Sequence, residues 1–112
     1  GACDIVRGGV NDVGGITPLV KIAHLAEAFG MCMEVHGGGA ANLQVLCAMG
    51  FPGRFYERGL LHPAVDYERP HPWLRSIVDP MDAEGFVHVS PLPGLGMDID
   101  WDYITGHEVE RY

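Results

Sequence analysis

His36 closes the apolar run Met31–Val35 and is followed directly by Gly37, Gly38 and Gly39. An imidazole titrates near neutrality, and a glycine run lets a substrate come close to the backbone, so this position suits a general acid or base. A strand-end histidine bonded to a neighbouring loop is the alternative. Glu57 lies in Arg54-Phe-Tyr-Glu-Arg58, between two arginines. It is either a site carboxylate or half of an ion pair with Arg54 or Arg58, and the residues alone favour the ion pair. Glu34, inside the same apolar run as His36, is expected to be paired within a sheet wall. Cys32 and His36 are four residues apart with no further ligand spacing around them, so buried strand residues are expected there rather than zinc. Asp79, Asp82, Asp98, Asp100 and Asp102 lack the register of an EF-hand loop and are expected in solvated turns. Gly14-Gly15 has neither the lysine of a P-loop nor the order of a dinucleotide loop, which leaves it a tight turn. His24, His62, His71, His88 and His107 show no metal-ligand spacing and are expected on surfaces or loops.

The elements that must position these residues follow from pattern. Ala2–Arg7 reads as a buried strand. Thr17 as N-cap, Pro18 at the first helical position, apolar residues at 19, 22, 23, 26 and 29, and Gly30 just beyond predict a helix over 17–29. Met31–Val35 is a second strand. A second helix is expected over Ala41–Met49, with Leu43, Leu46 and Cys47 on one side, stopped by Gly50 and Pro52. Arg54–Arg58 reads as a third strand. This βαβαβ rhythm with short connections predicts parallel strands joined by helical crossovers. Beyond Gly59 the chain is proline-rich and irregular. A short helix around Trp73–Ile77, a strand over Phe86–Ser90, a turn at Pro93–Gly96 and a helical turn at Trp101–Ile104 are the elements expected in it. The division is thus a partial barrel over 1–59 and a C-terminal return segment of the same domain over 60–112.

With 112 residues there is room for one small domain. Hydrophobic residues at 47% against 20% charged fit a folded chain rather than a disordered one. A net charge of -8 removes the attraction on which non-specific nucleic-acid binding depends, and disfavours an anionic membrane surface. No apolar run approaches the roughly 20 residues of a membrane span. Three scattered cysteines argue against a disulfide framework and point to a cytoplasmic protein. The chain starts at Gly1, without an initiator methionine and directly on an apolar run, which predicts a piece of something longer. Three strands and two helices cannot cover both faces of a parallel sheet.

The strings DIVRGGVNDVGGITPLVKIAHLAEAFGM, EVHGGGAANLQVLCAM and FYERG, with DPMDAEGFVHV and PGLG (93–96) further on, resemble the mandelate racemase and muconate lactonising branch of the enolase superfamily. The resemblance covers nearly the whole chain. It implies an α/β fold, the C-terminal portion of a (β/α)8 TIM-type barrel at about strands 6–8, ending in a segment that returns toward the capping domain.

Such enzymes abstract the proton α to a carboxylate, with magnesium stabilising the product of that step. The resemblance makes His36 the strand-seven base and Glu57 the strand-eight residue that hydrogen-bonds the substrate carboxylate. The aspartate that orients the base is expected five residues before Gly14 and 27 before His36, and both counts fall on Gly9. Gly9 has no carboxylate, and Asp12, in the turn, is a poor substitute. The magnesium ligands belong to strands three to five, so this chain is expected to hold none and to be inactive alone. The implied parent is a magnesium-dependent lyase, a dehydratase acting on an acid sugar, with His36 protonating the departing hydroxyl. A racemase or cycloisomerase shares the first step. A catalytically inactive fragment with a structural role and an independent α/β binding domain are the readings of other classes. The partners implied are a small carboxylate substrate, the remainder of the barrel and a further copy in a homo-oligomer.

Overall fold

The computed structural model describes residues 2–50, 55–58 and 68–109. Strand β1 (Ile5–Gly8), helix α1 (Ile16–Ala28), strand β2 (Cys32–Val35) and helix α2 (Ala40–Ala48) follow one another, and a short helix α3 (Trp101–Gly106) lies near the C-terminus. β1 and β2 are parallel and in register from Ile5 opposite Cys32 to Gly8 opposite Val35. The β–α–β–α order is therefore as the hydrophobic rhythm predicts.

The start of α1 differs from expectation. The helix begins at Ile16 with Gly15 as its cap, and Thr17 and Pro18 lie inside the first turn. Gly15 has φ 134°, a conformation open to glycine, which lets the chain turn straight from the preceding loop into the helix. Pro18 costs nothing there, since the first-turn N–H groups have no intrahelical acceptor. The other end matches its signal. Gly30 at φ 66° donates its N–H to Glu27 O (2.9 Å) and Met31 donates to Ala26 O (2.9 Å), the paired bonds of a Schellman stop.

Leu19, Ala23 and Ala26, spaced i, i+4 and i+7, form the buried stripe of α1 and meet Met33 and Val35 of β2 and Val45 and Leu46 of α2. Leu19 and Met33 are completely enclosed. Burial of such a side chain contributes about 1.5–3 kcal/mol, and Leu19→Ala would cost about 2–5 kcal/mol with its cavity. In α2 the buried set is Ala40, Asn42, Leu43, Val45 and Leu46, wider than the expected stripe, and Cys47 faces outward. Cys32 is likewise exposed, not buried, because strand alternation gives the helices Met33 and Val35 instead.

Helices cover one face of the sheet. The other carries Ile5, Arg7, Glu34 and, from the following segment, Phe55 and Glu57. Ile5 is 58% and Phe55 73% exposed, so among the described residues this mixed apolar and charged face has no cover.

Three expected elements are absent. Arg54 lies outside the described residues, and 55–58 forms no ladder with the sheet; the Tyr56 and Glu57 side chains accept N–H groups of the glycine loop after β2 instead. Trp73–Ile77 is not helical, because Trp73 O and Arg75 N are taken by the backbone of Asp100 and Asp98 (both 2.9 Å) around an antiparallel bridge from Leu74 to Ile99. Phe86–Ser90 is not a strand, having a single bridge from Val87 to Met81. That bridge closes a turn in which Asp82 accepts the N–H groups of Glu84 and Phe86. The Pro93–Gly96 turn is present, with Gly96 N donating to Pro93 O, and so is the last helix, where Asp100 caps α3 by accepting Tyr103 N–H (3.0 Å).

Candidate active site

The two parallel strands end level with each other, and the residues that follow them face the uncovered side. His36 N donates to Gly8 O (2.8 Å), one more rung beyond the ladder, and this fixes the backbone from which the imidazole projects. Alternation along the strands then puts Arg7, two residues before Gly9, on the same side as His36.

Three side chains converge there. Arg7 Nη2 donates to Glu57 Oε2 at 2.6 Å and lies 2.9 Å from His36 Nδ1, while His36 Nδ1 is 3.0 Å from the same Glu57 oxygen. Gly37 N also donates to Glu57 Oε2 (2.9 Å). The Gly37 N–H, and then Arg7, hold the Glu57 carboxyl down at about 2, so it is ionised throughout the neutral range. The ion pair weighed for Glu57 therefore exists with a different partner. Its cation is Arg7, fifty residues earlier, while the Arg58 guanidinium turns away to Glu68 (2.9 Å) and Asp79 (3.8 Å). An ionised Glu57 accepts hydrogen bonds and donates none. It suits substrate hydroxyls better than a substrate carboxylate.

Buried polar groups hold this cluster in place. Asn42, buried in α2, accepts Val10 N–H (2.9 Å) and donates to Gly38 O (3.1 Å), joining the loop after β1 to the loop after β2. The Tyr56 hydroxyl accepts Gly39 N–H (2.5 Å) and donates to Asp79 Oδ2 (2.7 Å), which fixes the residue before Glu57 against the glycine run. Burial, and then the bond to Asp79, push that phenol well above its ordinary pKa. Gly38 leaves little room for a side chain: a Cβ there would stand 3.1 Å from Glu57 O and 3.3 Å from the Tyr56 hydroxyl.

Gly9 sits beside His36, and a Cβ on it would overlap the His36 carbonyl oxygen and lie 2.8 Å from Asp12 Oδ2. No side chain fits at residue 9 in this conformation. Gly9 is thus a point of close backbone approach.

The profile of the enolase C-terminal domain-like family matches residues 1–103. The chain belongs to that family. Within the enolase superfamily it falls in the mandelate racemase and muconate lactonising branch, and its fold is part of a (β/α)8 barrel. A crystal structure of D-glucarate dehydratase from Agrobacterium tumefaciens complexed with magnesium superposes with a TM-score of 0.87 and 60% identity over 94% of this chain and 27% of that one. A putative L-rhamnonate dehydratase of Caldivirga maquilingensis is 32% identical over 94% of the chain and 26% of its own length. A D-mannonate dehydratase of a Sphingomonas species is 32% identical over 96% and 27% respectively. The chain spans about a quarter of the length of these relatives.

Of the residues singled out in the sequence, this enolase-type segment brings His36 and Glu57 together and leaves the others apart. Glu34 faces the open side near Arg7. Asp12 stays in its turn. His24, His71, His88 and His107 are exposed, with His88 on Asp82 (2.7 Å) and His107 stacked on Tyr103, and His62 lies outside the described residues. Four of the five acidic residues expected in solvated turns are engaged, Asp79 by Tyr56, Asp82 by His88, and Asp98 and Asp100 near Arg75, while Asp102 lies exposed in the first turn of α3. Arg7, Asn42 and Tyr56 were not evident as site residues. Arg7 is marked as a charge inside an apolar strand, whereas Asn42, which shares its helix with Gln44, and Tyr56 carry no local signal. No group of three His, Cys, Asp or Glu among the described residues could hold a metal ion, so the residues present do not fit a magnesium centre. No helix among the described residues is long and apolar enough to cross a membrane.

Proposed function

We infer that this chain is the segment around barrel strands six to eight of an acid-sugar dehydratase, a lyase that removes water from a polyhydroxy carboxylate after loss of the proton α to the acid. In this reading residues 1–59 form the barrel portion and 60–112 return across it, and the protein works in the cytoplasm. His36 and Glu57 meet the reacting end of the substrate, and the ionised Glu57 accepts hydrogen bonds from its hydroxyls. Magnesium belongs to the reading through the family, and among the described residues no group of three His, Cys, Asp or Glu would hold it. In this reading its ligands stand elsewhere in the protein.

The observation that carries the proposal is the His36–Glu57–Arg7 cluster at the ends of neighbouring barrel elements, opening on the uncovered face. Ligands of parallel α/β folds bind at this end of the strands. A 60% identical neighbour described as D-glucarate dehydratase favours dehydration over racemisation or cycloisomerisation. Gly9 does not favour an inactive fragment, since its packing against His36 explains why a glycine stands there.

The test is to assay the whole protein carrying this chain on a panel of acid sugars with magnesium, following formation of the keto-deoxy product. Turnover of at least one sugar, reduced at least a hundredfold by His36→Ala, is expected. Absence of turnover across the panel, or full activity in the variant, would reject the proposal.

A further inference from the structure

We propose that Arg7 is a positioning residue that holds the His36 ring protonated on Nε2, so that His36 meets the substrate as a hydrogen-bond donor and not as a base. The inference rests on the reading of the cluster as the reacting end of the site. Its argument is one of donors and acceptors.

Arg7 Nη2 carries two hydrogens and no lone pair, and the guanidinium keeps them at any pH a protein survives. It stands 2.9 Å from His36 Nδ1 and 2.6 Å from Glu57 Oε2. If Nδ1 carried the ring proton, two N–H groups would face each other at 2.9 Å. Among the described residues the acceptor in reach would be Glu57 Oε2 at 3.0 Å, an oxygen already accepting from Gly37 N and Arg7. If Nδ1 keeps its lone pair, one Arg7 hydrogen goes to Nδ1 and the other to Glu57, and every donor has an acceptor. A neutral imidazole has one proton, which then sits on Nε2. Among the described residues no hydrogen bond involves Nε2, so that N–H is available to a ligand.

The usual logic of a carboxylate–histidine dyad is thereby reversed. A carboxylate beside Nδ1 accepts a hydrogen bond from Nδ1–H and leaves a basic lone pair at Nε2. An arginine beside Nδ1 leaves an N–H at Nε2, suited to a substrate oxygen on which negative charge gathers. Gly9 and Arg7 are two parts of this change: the position of an acid is closed by backbone contact, and the nearest side chain on the same strand face is a donor. No proton leaves the ring in this role, so abstraction of the α proton falls to another residue of the protein.

The tautomer can be read directly by nitrogen NMR of the whole protein labelled on its histidine rings, at a slightly alkaline pH, with His36 assigned by difference from His36→Gln. We expect a pyridine-type Nδ1 and a pyrrole-type Nε2 for His36. Arg7→Met should exchange the two signals, because Nδ1 then faces Glu57 alone, while Glu57→Gln should leave the wild-type pattern. A pyrrole-type Nδ1 in the wild type overturns the proposal. Should Arg7→Met fail to fold, the wild-type and Glu57→Gln spectra still decide it. Assay of the same preparations on acid sugars separates the two readings. Turnover with a pyrrole-type Nδ1 rejects the tautomer and keeps the lyase, and a pyridine-type Nδ1 without turnover does the opposite.

Discussion

Gly9 and His36 stand side by side just past the last rung of the β1–β2 ladder, so close that a methyl group on Gly9 would overlap the carbonyl oxygen of His36. Residue 9 is where an orienting aspartate would be sought from spacing alone. The contact means that a carboxylate cannot be restored there by substitution. Gly9→Ala should destabilise the whole protein by about 1–3 kcal/mol, the usual cost of overpacking. Gly9→Asp should lose stability and gain no activity. Urea unfolding midpoints and turnover of the two variants check this, and a more active Gly9→Asp enzyme with an unshifted midpoint would contradict it.

Glu57 gives a pH prediction whose sign is fixed. Its carboxyl is held at about 2 in the folded chain, against 4.5 when unperturbed. A depressed folded value adds stability that is complete above the unfolded pKa and disappears as pH falls from 4.5 toward 2. Glu57→Gln should therefore flatten the stability–pH curve of the whole protein within that window and leave its shape above the window unchanged. Denaturant titrations at stepped acidic pH supply the measurement. Identical slopes for the two proteins would remove Glu57 from the acid response.

Asn42 is 6% exposed and has partners on both sides of its amide. Asn42→Ala leaves Val10 N–H and Gly38 O without it, an expected cost of about 1–3 kcal/mol. Asn42→Asp keeps the acceptor for Val10 but faces Gly38 O with an oxygen, and should be no better. Thermal melts of both variants test the point, and a midpoint unchanged in Asn42→Ala would show that the two loops hold themselves.

Tyr56→Phe removes the donor to Asp79 and the acceptor for Gly39 N–H. A loss of about 1–2 kcal/mol is expected, since each bond contributes about 0.5–1.5. In the wild type one phenol should resist ionisation well above the ordinary tyrosine range, and an ultraviolet alkaline titration should lose that late component in the variant. A late component that persists would assign it to another tyrosine.

Elements whose signals are local were legible in the sequence. The buried stripe of α1, the Gly30 stop, the parallel order of β1 and β2 and the α3 turn all depend on residues within one helix or one connection. His36 and Glu57 were legible through the spacing of family motifs, which records where strands end. Thr17 misled because the glycine before it reaches a conformation that starts the helix earlier. Segments 73–77 and 86–90 misled because backbone groups a long way off in sequence, or a turn closed by Asp82, claimed their hydrogen bonds. Arg7 was hidden for a similar reason: its partners lie 29 and 50 residues away, beyond any periodicity.

A single amide from α2 reaches both the loop after β1 and the loop after β2. Neither loop can lift away by itself without stripping a half-buried backbone group of its partner. Fluctuations of the 9–13 turn and of the 37–39 glycines are thus tied into one motion, and three consecutive glycines move as part of a stiff rim. In the proposed dehydratase this side of the mouth would therefore keep a fixed width.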